Sequence, residues 1–429
     1  MHRIEIKNFG PIKHFEADIT DLMFFIGPQA SGKSTISKII FFCRSLHNNV
    51  FYYFASETTL EELTQSPRLV DIFYKHIEKQ AKAYFGEIEG EFTYHLNSQH
   101  SVQVKLSAKN STITLTESLE AQLNTLLEEV KFFKRETQAT IKYQEIVTAQ
   151  QIFTVNIQTR LSELFEGNRF YMFIPAGRNG VAMLARLPKK VKIFDPTIEG
   201  FLENLQVAKE LLHISIEQWL EATKRSGKFF DRDAELFLLA IEKAKSILKG
   251  EYRYHHQSMT ELLIFDGKTI DFSRASSGQQ EVVWILYILL KLLLQDGSVF
   301  SVIEEPEAHL FPETQNQLVE FFGLFANAKP DNQLLITTHS PYILTALNNL
   351  IYAYQVGQQN PEKVSQLIPK QFWIDPRRVA AYFVENGTAR SIMDEELQHI
   401  KAEEIDNAST LTNELYDQLL DIKVDGETE

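Results

Sequence analysis

A single cysteine, Cys43, in a chain of 429 residues excludes an internal disulfide framework and fits a reducing compartment. The opening residues MHRIEIKNFG lack the apolar h-region of a secretory leader, so the expected location is the cytoplasm. Long hydrophobic runs are missing too. The longest, Val282 to Leu294, has 13 residues and carries Lys291, which is too short for a bilayer, so no membrane partner is expected. No Cys/His cluster has zinc spacing, and no internal repeat or low-complexity tract is present. A strongly basic footprint is also absent. Residues 394–429 hold 12 acidic and 2 basic residues, which is −10 of the net −14, and the rest of the chain is near neutral. Overall acidity is therefore a weak argument against nucleic acid, and nothing argues strongly for it.

What is present is an ordinary globular composition, 44% apolar and 23% charged, at a length that can bury a large core. His2–Lys7 alternates, Phe9-Gly10-Pro11 breaks the chain, and Leu22–Ile26 is a short buried strand ending at Gly27; a helix follows the glycine loop. Residues 46–83 read as helical, and 84–116 as a small antiparallel ribbon that includes Tyr84-Phe85. Leu119, Leu123, Leu126, Val130 and Phe133 form a stripe of about two heptads, either a helix packed on its own domain or a short projecting arm. Arg169–Ile174, Ser298–Ile303 and Gln333–Thr337 read as buried strands, 199–249 as helical, and Asn386-Gly387 as a hairpin turn.

Gly27-Pro28-Gln29-Ala30-Ser31-Gly32-Lys33-Ser34 satisfies G-x-x-x-x-G-K-[ST] between a strand and a helix, and Thr35 follows it. Glycines in such a loop let backbone N–H groups wrap phosphates, Lys33 would reach the β- and γ-phosphates, and Ser34 would ligate Mg²⁺. Glu304 and Glu305 end an apolar strand. The first acid suits Mg²⁺, and the second could polarise an attacking water. Ser276-Ser277-Gly278-Gln279 opens the apolar helix, where Ser276 is an ordinary N-cap and the helix start also suits a γ-phosphate. His339 follows the strand 333–337.

In this order the motifs resemble ATP-binding-cassette (ABC) ATPases, specifically the soluble branch of SMC, RecF-type and overcoming-lysogenization-defect (OLD) proteins. Glu304-Glu305-Pro306-Glu307-Ala308-His309-Leu310-Phe311-Pro312 looks like the E-E-P-E-x-x-L-H-P of OLD-type ATPases, and Ile174-Pro175-Ala176-Gly177-Arg178 resembles a stretch common there. Phe311 departs from the usual His, and Ser277 from a signature glycine.

The resemblance implies an α/β fold: an ABC-type P-loop ATPase core with an inserted β-ribbon and helical arm and a helical subdomain. The expected division is a discontinuous core over 1–45, 168–198 and 262–393, an insertion over 46–167, a helical subdomain over 199–261 and an acidic helical segment over 394–429. It also implies a homodimer, or a higher even oligomer, that sandwiches ATP with Mg²⁺. Gly27–Thr35 of one chain and Ser276–Gln279 of the other would hold each nucleotide; Glu305 would act as base, Ser34 and Glu304 on the metal, and His339 on the γ-phosphate. OLD nucleases add a Toprim domain with an Asp-x-Asp motif, and no such motif follows His339. The expected role is thus a nucleotide-gated ATPase that senses a trigger, a nucleic acid or phage protein, and controls a separate effector such as a nuclease in anti-phage defence. Two alternatives stand beside it. One is a RecF- or SMC-like DNA-handling ATPase, suggested by Arg186, Lys189, Lys190 and Lys192. The other is an assembly scaffold with negligible turnover.

Overall fold

The structure is a computed structural model that describes residues 2–139, 143–167, 169–184, 195–211, 231–255 and 257–401. Its frame is one eleven-stranded mixed sheet. The strands, in chain order, are β1 (Arg3–Phe9), β2 (Ile12–Asp18), β3 (Leu22–Ile26), β4 (Gly90–His95), β5 (Ser101–Leu106), β6 (Thr112–Leu115) and β7 (Arg169–Ile174). They continue with β8 (Glu251–His255), β9 (Thr260–Phe265), β10 (Lys268–Asp271), β11 (Ser298–Glu304), β12 (Gln333–Thr338), β13 (Val379–Glu385) and β14 (Thr388–Ser391). The large sheet runs β6-β5-β4-β1-β2-β14-β13-β3-β12-β11-β7, and β8–β10 form a separate three-stranded sheet.

Five neighbours, β13, β3, β12, β11 and β7, are mutually parallel, while β1, β2, β4, β5 and β6 make an antiparallel wing. Parallel strands need cover on both faces, and β3 meets that need by alternation. Leu22, Phe24 and Ile26 join one core with the helices Ser277–Leu293, Pro312–Ala328 and Pro341–Gly357. Met23 and Phe25 join the other, with Ile36, Ile39 and Ile40 of the helix Lys33–Arg44. Register places Ile26 beside Thr338, and Glu304 beside Thr337. The loops after β3, β11, β12 and β7 therefore leave the sheet at one carboxyl edge, where parallel α/β sheets place their ligands.

Several expectations change. Tyr84 and Phe85 end a helix, Val70–Phe85, rather than begin a ribbon, because Phe73, Ile77, Ala81 and Phe85 recur every four residues and are all buried. The ribbon β4–β6 joins the main sheet, with β4 paired to β1. The region 199–261 is only partly helical, since β8 and the start of β9 fall inside it and pair with each other. Described residues of the acidic segment form a turn, not a helix: Asp394 accepts from the N–H groups of Glu396 and Leu397, and Ile400 is buried. The rest of that segment, and the basic run 186–192, lie outside the described residues. In the stripe, Leu119, Leu123, Leu126 and Val130 are buried on the core, while Phe132 is 67% exposed and Phe133 stacks on Phe153 of the next helix at 3.7 Å. The stripe thus packs on the core through Val130 and on the next helix at Phe133. No described helix is long and apolar enough to cross a membrane.

Candidate functional site

The glycine loop turns sharply out of β3. Gly27 has φ 153° and Gly32 has φ 106°. A Cβ on Gly27 would lie 2.1 Å from the Val384 carbonyl oxygen, a backbone atom that cannot step aside, and the left-handed φ of Gly32 also favours glycine. Pro28, Gln29, Ala30 and Ser34 are exposed, and Gly32, at the cap of the helix Lys33–Arg44, leaves its first N–H groups without a side-chain partner. That is the arrangement of an anion cradle. Lys33 itself is buried, and its Nζ donates to the carbonyls of Gly27 and Pro28 at 2.8 Å each. Burial pushes its ammonium below the usual lysine range, opposed by the Glu305 and Glu307 carboxylates.

The acids arrive from β11 one strand beyond β12. Glu304 is buried; its carboxylate accepts from Ser37 Oγ at 3.5 Å and from the Ala176 N–H at 3.4 Å. Ser37 also donates to the Ser34 carbonyl at 3.1 Å, so Glu304 and Ser34 flank one helical turn. A hydroxyl and a carboxylate are both hard oxygen donors and fit Mg²⁺, which when bound neutralises phosphate charge. Glu305 adopts φ 44°, and its N–H donates to the Thr337 carbonyl at 2.8 Å. This kink turns Oε1 outward to 3.3 Å from His339 Nε2. Glu307 grips the same residue from behind: its Oε1 accepts from the His339 N–H at 2.7 Å, while its buried Oε2 has no partner. An exposed carboxylate paired with an imidazole at the mouth of a phosphate cradle can hold and orient a water.

The geometry rests on Arg178, which residue type and spacing alone do not assign to the site. Arg178 is fully buried and donates to the carbonyls of Glu304 at 2.6 Å, Glu305 at 3.0 Å and Pro175 at 3.1 Å. It also reaches the Glu281 carbonyl and carboxylate, each at 3.3 Å. Burial draws its guanidinium down from the arginine range, and the surrounding carboxylates oppose that, Glu281 foremost. Its signal in the sequence is its place at the end of the Ile174–Arg178 stretch, which the resemblance marks without giving the arginine a role.

The Ser276–Gln279 turn forms a capping box: Ser276 Oγ accepts from the Gln279 N–H, and Gln279 Oε1 accepts from the Ser276 N–H at 3.1 Å. Gln279 Nε2 is committed to the Leu248 carbonyl at 2.8 Å, whereas Ser276 and Ser277 are exposed. Lys33, Glu304, Glu305 and His339 thus gather at one sheet edge. No hydrogen bond among the described residues joins Ser276–Gln279 to residues 27–35 of the same chain.

A family description, AAA ATPase domain, matches residues 1–172 and 185–344, leaving 173–184, with Arg178, unmatched. Among solved structures the chain is similar to an SMC head bound to the C-winged helix domain of ScpA, at 10% identity, covering 91% of this chain and 96% of that one, TM-score 0.43. It is also similar to the SMC head domain from Thermotoga maritima, at 11% identity, with coverages of 92% and 98% and TM-score 0.37. A third is the SMC head domain with an extended coiled coil bound to the C-terminal domain of ScpA, derived from Pyrococcus furiosus, at 9% identity, with coverages of 91% and 96% and TM-score 0.37. No curated protein matches the chain.

Proposed function

The chain belongs to the AAA ATPase domain family, and on that premise we propose that it is a Mg²⁺-dependent, nucleotide-gated dimeric ATPase. The observation that carries this is the Glu305–His339 pair, 3.3 Å apart and open to solvent, at the same sheet edge as Lys33. Glu305 is the base that orients water, His339 senses the γ-phosphate, and Lys33 moves from its loop carbonyls onto the phosphates. Ser34 and Glu304 hold the metal. The exposed Ser276 and Ser277 face a nucleotide bound by a second copy, which makes each site composite. Following the OLD-like Glu304–Pro312 stretch, the ATPase cycle controls a separate effector, a nuclease, in anti-phage defence.

The test is Glu305→Gln in the full chain. It keeps the cradle and removes the base, so ATP should bind while hydrolysis falls on the order of 10²–10⁴-fold. An ATP-bound dimer should accumulate in sizing with light scattering. Near-normal turnover would remove Glu305 from this role.

A further inference from the structure

We infer that Arg178 is a positioning residue that locks the start of the helix Ser277–Leu293 to the Glu304–Glu305 strand end, coupling the two nucleotide sites of a dimer. The inference rests on the composite-site reading above. Nucleotide held at Ser276–Gln279 belongs to the site completed by the other chain, whereas Glu305 serves the site on its own glycine loop. Something within one chain must join these two points if the sites are to act together, and the guanidinium spans the gap between them.

Its hydrogen bonds divide between the two sides. On one side it holds the carbonyls of Glu304 at 2.6 Å and Glu305 at 3.0 Å. On the other its Nε donates to the carbonyl of Glu281, one turn beyond Ser277, at 3.3 Å, and the guanidinium is ion-paired, without a hydrogen bond, to Glu281 Oε2 at the same distance. The neighbouring residue strengthens the link: the Asn179 N–H donates to Glu281 Oε1 at 3.3 Å, and its Nδ2 to Gln280 Oε1 at 2.7 Å.

A second contact joins the same two elements independently. Gly278 lies so close to the loop after β11 that a Cβ there would stand 2.6 Å from the His309 carbonyl oxygen. Bonded through Arg178 and packed without a gap at Gly278, the helix start and the loop press on one another when either shifts. What is held at the strand end is a left-handed, non-glycine residue, Glu305 at φ 44°, a conformation that persists only when its surroundings enforce it. Movement of the helix start therefore reaches the carboxylate that faces His339. Arginine suits this task because its planar fork fixes direction as well as charge, whereas lysine is a point donor.

The experiment compares full-length wild type with Arg178→Lys, Glu281→Gln and the double Arg178→Met/Glu281→Gln. The double variant removes both buried charges together, so neither is left unpaired. The carbonyls of Pro175, Glu281, Glu304 and Glu305 lose their donor, and the melting temperature reads what that costs the fold. Readouts are melting temperature, ATP Kd, kcat and the Hill coefficient of ATPase activity. Wild type should show a Hill coefficient above one. Each variant should bind ATP within about twofold of wild type yet lose on the order of 10²-fold in kcat, the scale of a misplaced catalytic group. Its Hill coefficient should fall to one. A residue with only a structural role would lower melting temperature and leave the Hill coefficient alone, and that result overturns the coupling. So does a folded double variant with wild-type kcat. If wild type itself hydrolyses ATP as a monomer with a Hill coefficient of one, the composite-site reading fails and the coupling falls with it.

Discussion

Replacing Gly278 by alanine separates the chemistry of this site from the stability of its fold. Gly278 sits in the first turn of the helix Ser277–Leu293 without a positive φ, so alanine meets no backbone strain and adds up to about 1 kcal/mol of helix propensity. The difficulty is space. The new Cβ would lie 2.6 Å from the His309 carbonyl oxygen, against 3.4 Å where ordinary contact begins, a deficit of 0.8 Å. The obstacle is backbone, in a loop tied by Ala308 N–H to the Glu305 carbonyl at 3.2 Å and Leu310 N–H to the Glu307 carbonyl at 2.9 Å. Overpacking of this kind costs about 1–3 kcal/mol. Set against the propensity gain, the net loss is about 0–2 kcal/mol, a fall of a few degrees in Tm. Displacing Glu305 by most of an ångström, however, costs on the order of 10²-fold in rate. Gly278→Ala should therefore melt near wild type, bind ATP normally and hydrolyse it poorly. Gly200, on the helix Pro196–Leu211, is the control: nothing lies within 4 Å of its would-be Cβ, so alanine there should keep activity and gain about 0.5–1 kcal/mol. Steady-state ATPase, thermal melting and nucleotide binding measure all three. Wild-type turnover in Gly278→Ala refutes the reasoning, because the loop would then have absorbed the methyl without moving the base.

Three further outcomes follow from the same site. Lys33→Ala and Ser276→Arg should each be inactive as homodimers, whereas verified mixed heterodimers contain one site with both halves intact and should recover part of the activity; absence of rescue argues against shared sites. Burial holds the Lys33 pKa below the usual lysine range, so ATP affinity should be steady below that lowered pKa and weaken as pH rises through it. Stability moves the other way, rising with pH from the lowered folded value toward the ordinary unfolded one as the costly buried charge is lost; titration of ATP Kd and Tm into the alkaline range checks both, and a flat Kd counts against the phosphate role of Lys33. Purified chain with ATP and Mg²⁺ or Mn²⁺ should leave plasmid, single-stranded DNA and tRNA intact, and cleavage abolished by a site mutation in this chain would place the nuclease here instead of in a separate effector.

Features governed by short-range rules are legible in the amino-acid sequence by itself. The strand, glycine loop and helix over 22–44 follow from local pattern, as do the limits of β7 and the strand preceding Glu304. Asn386-Gly387 forms a two-residue hairpin between β13 and β14, with φ 53° and 81°, because only such residues accept two left-handed positions in a row. What lies beyond reach depends on long-range packing. Alternation identifies β4 as a strand but cannot say that it pairs with β1 and not only with its own ribbon. Nor can residue type show that Arg178 meets Glu281 and Glu304, which lie more than a hundred residues further along the chain. Its neighbours in sequence give it no carboxylate. Only closure of β7 against β11, with the helix Ser277–Leu293 packed in the same core and its first turn against Arg178, brings those oxygens around a guanidinium shut off from water. Periodicity and spacing record what one segment needs, whereas the identity of its partners is settled by which buried surfaces and unpaired polar groups the whole fold must satisfy together.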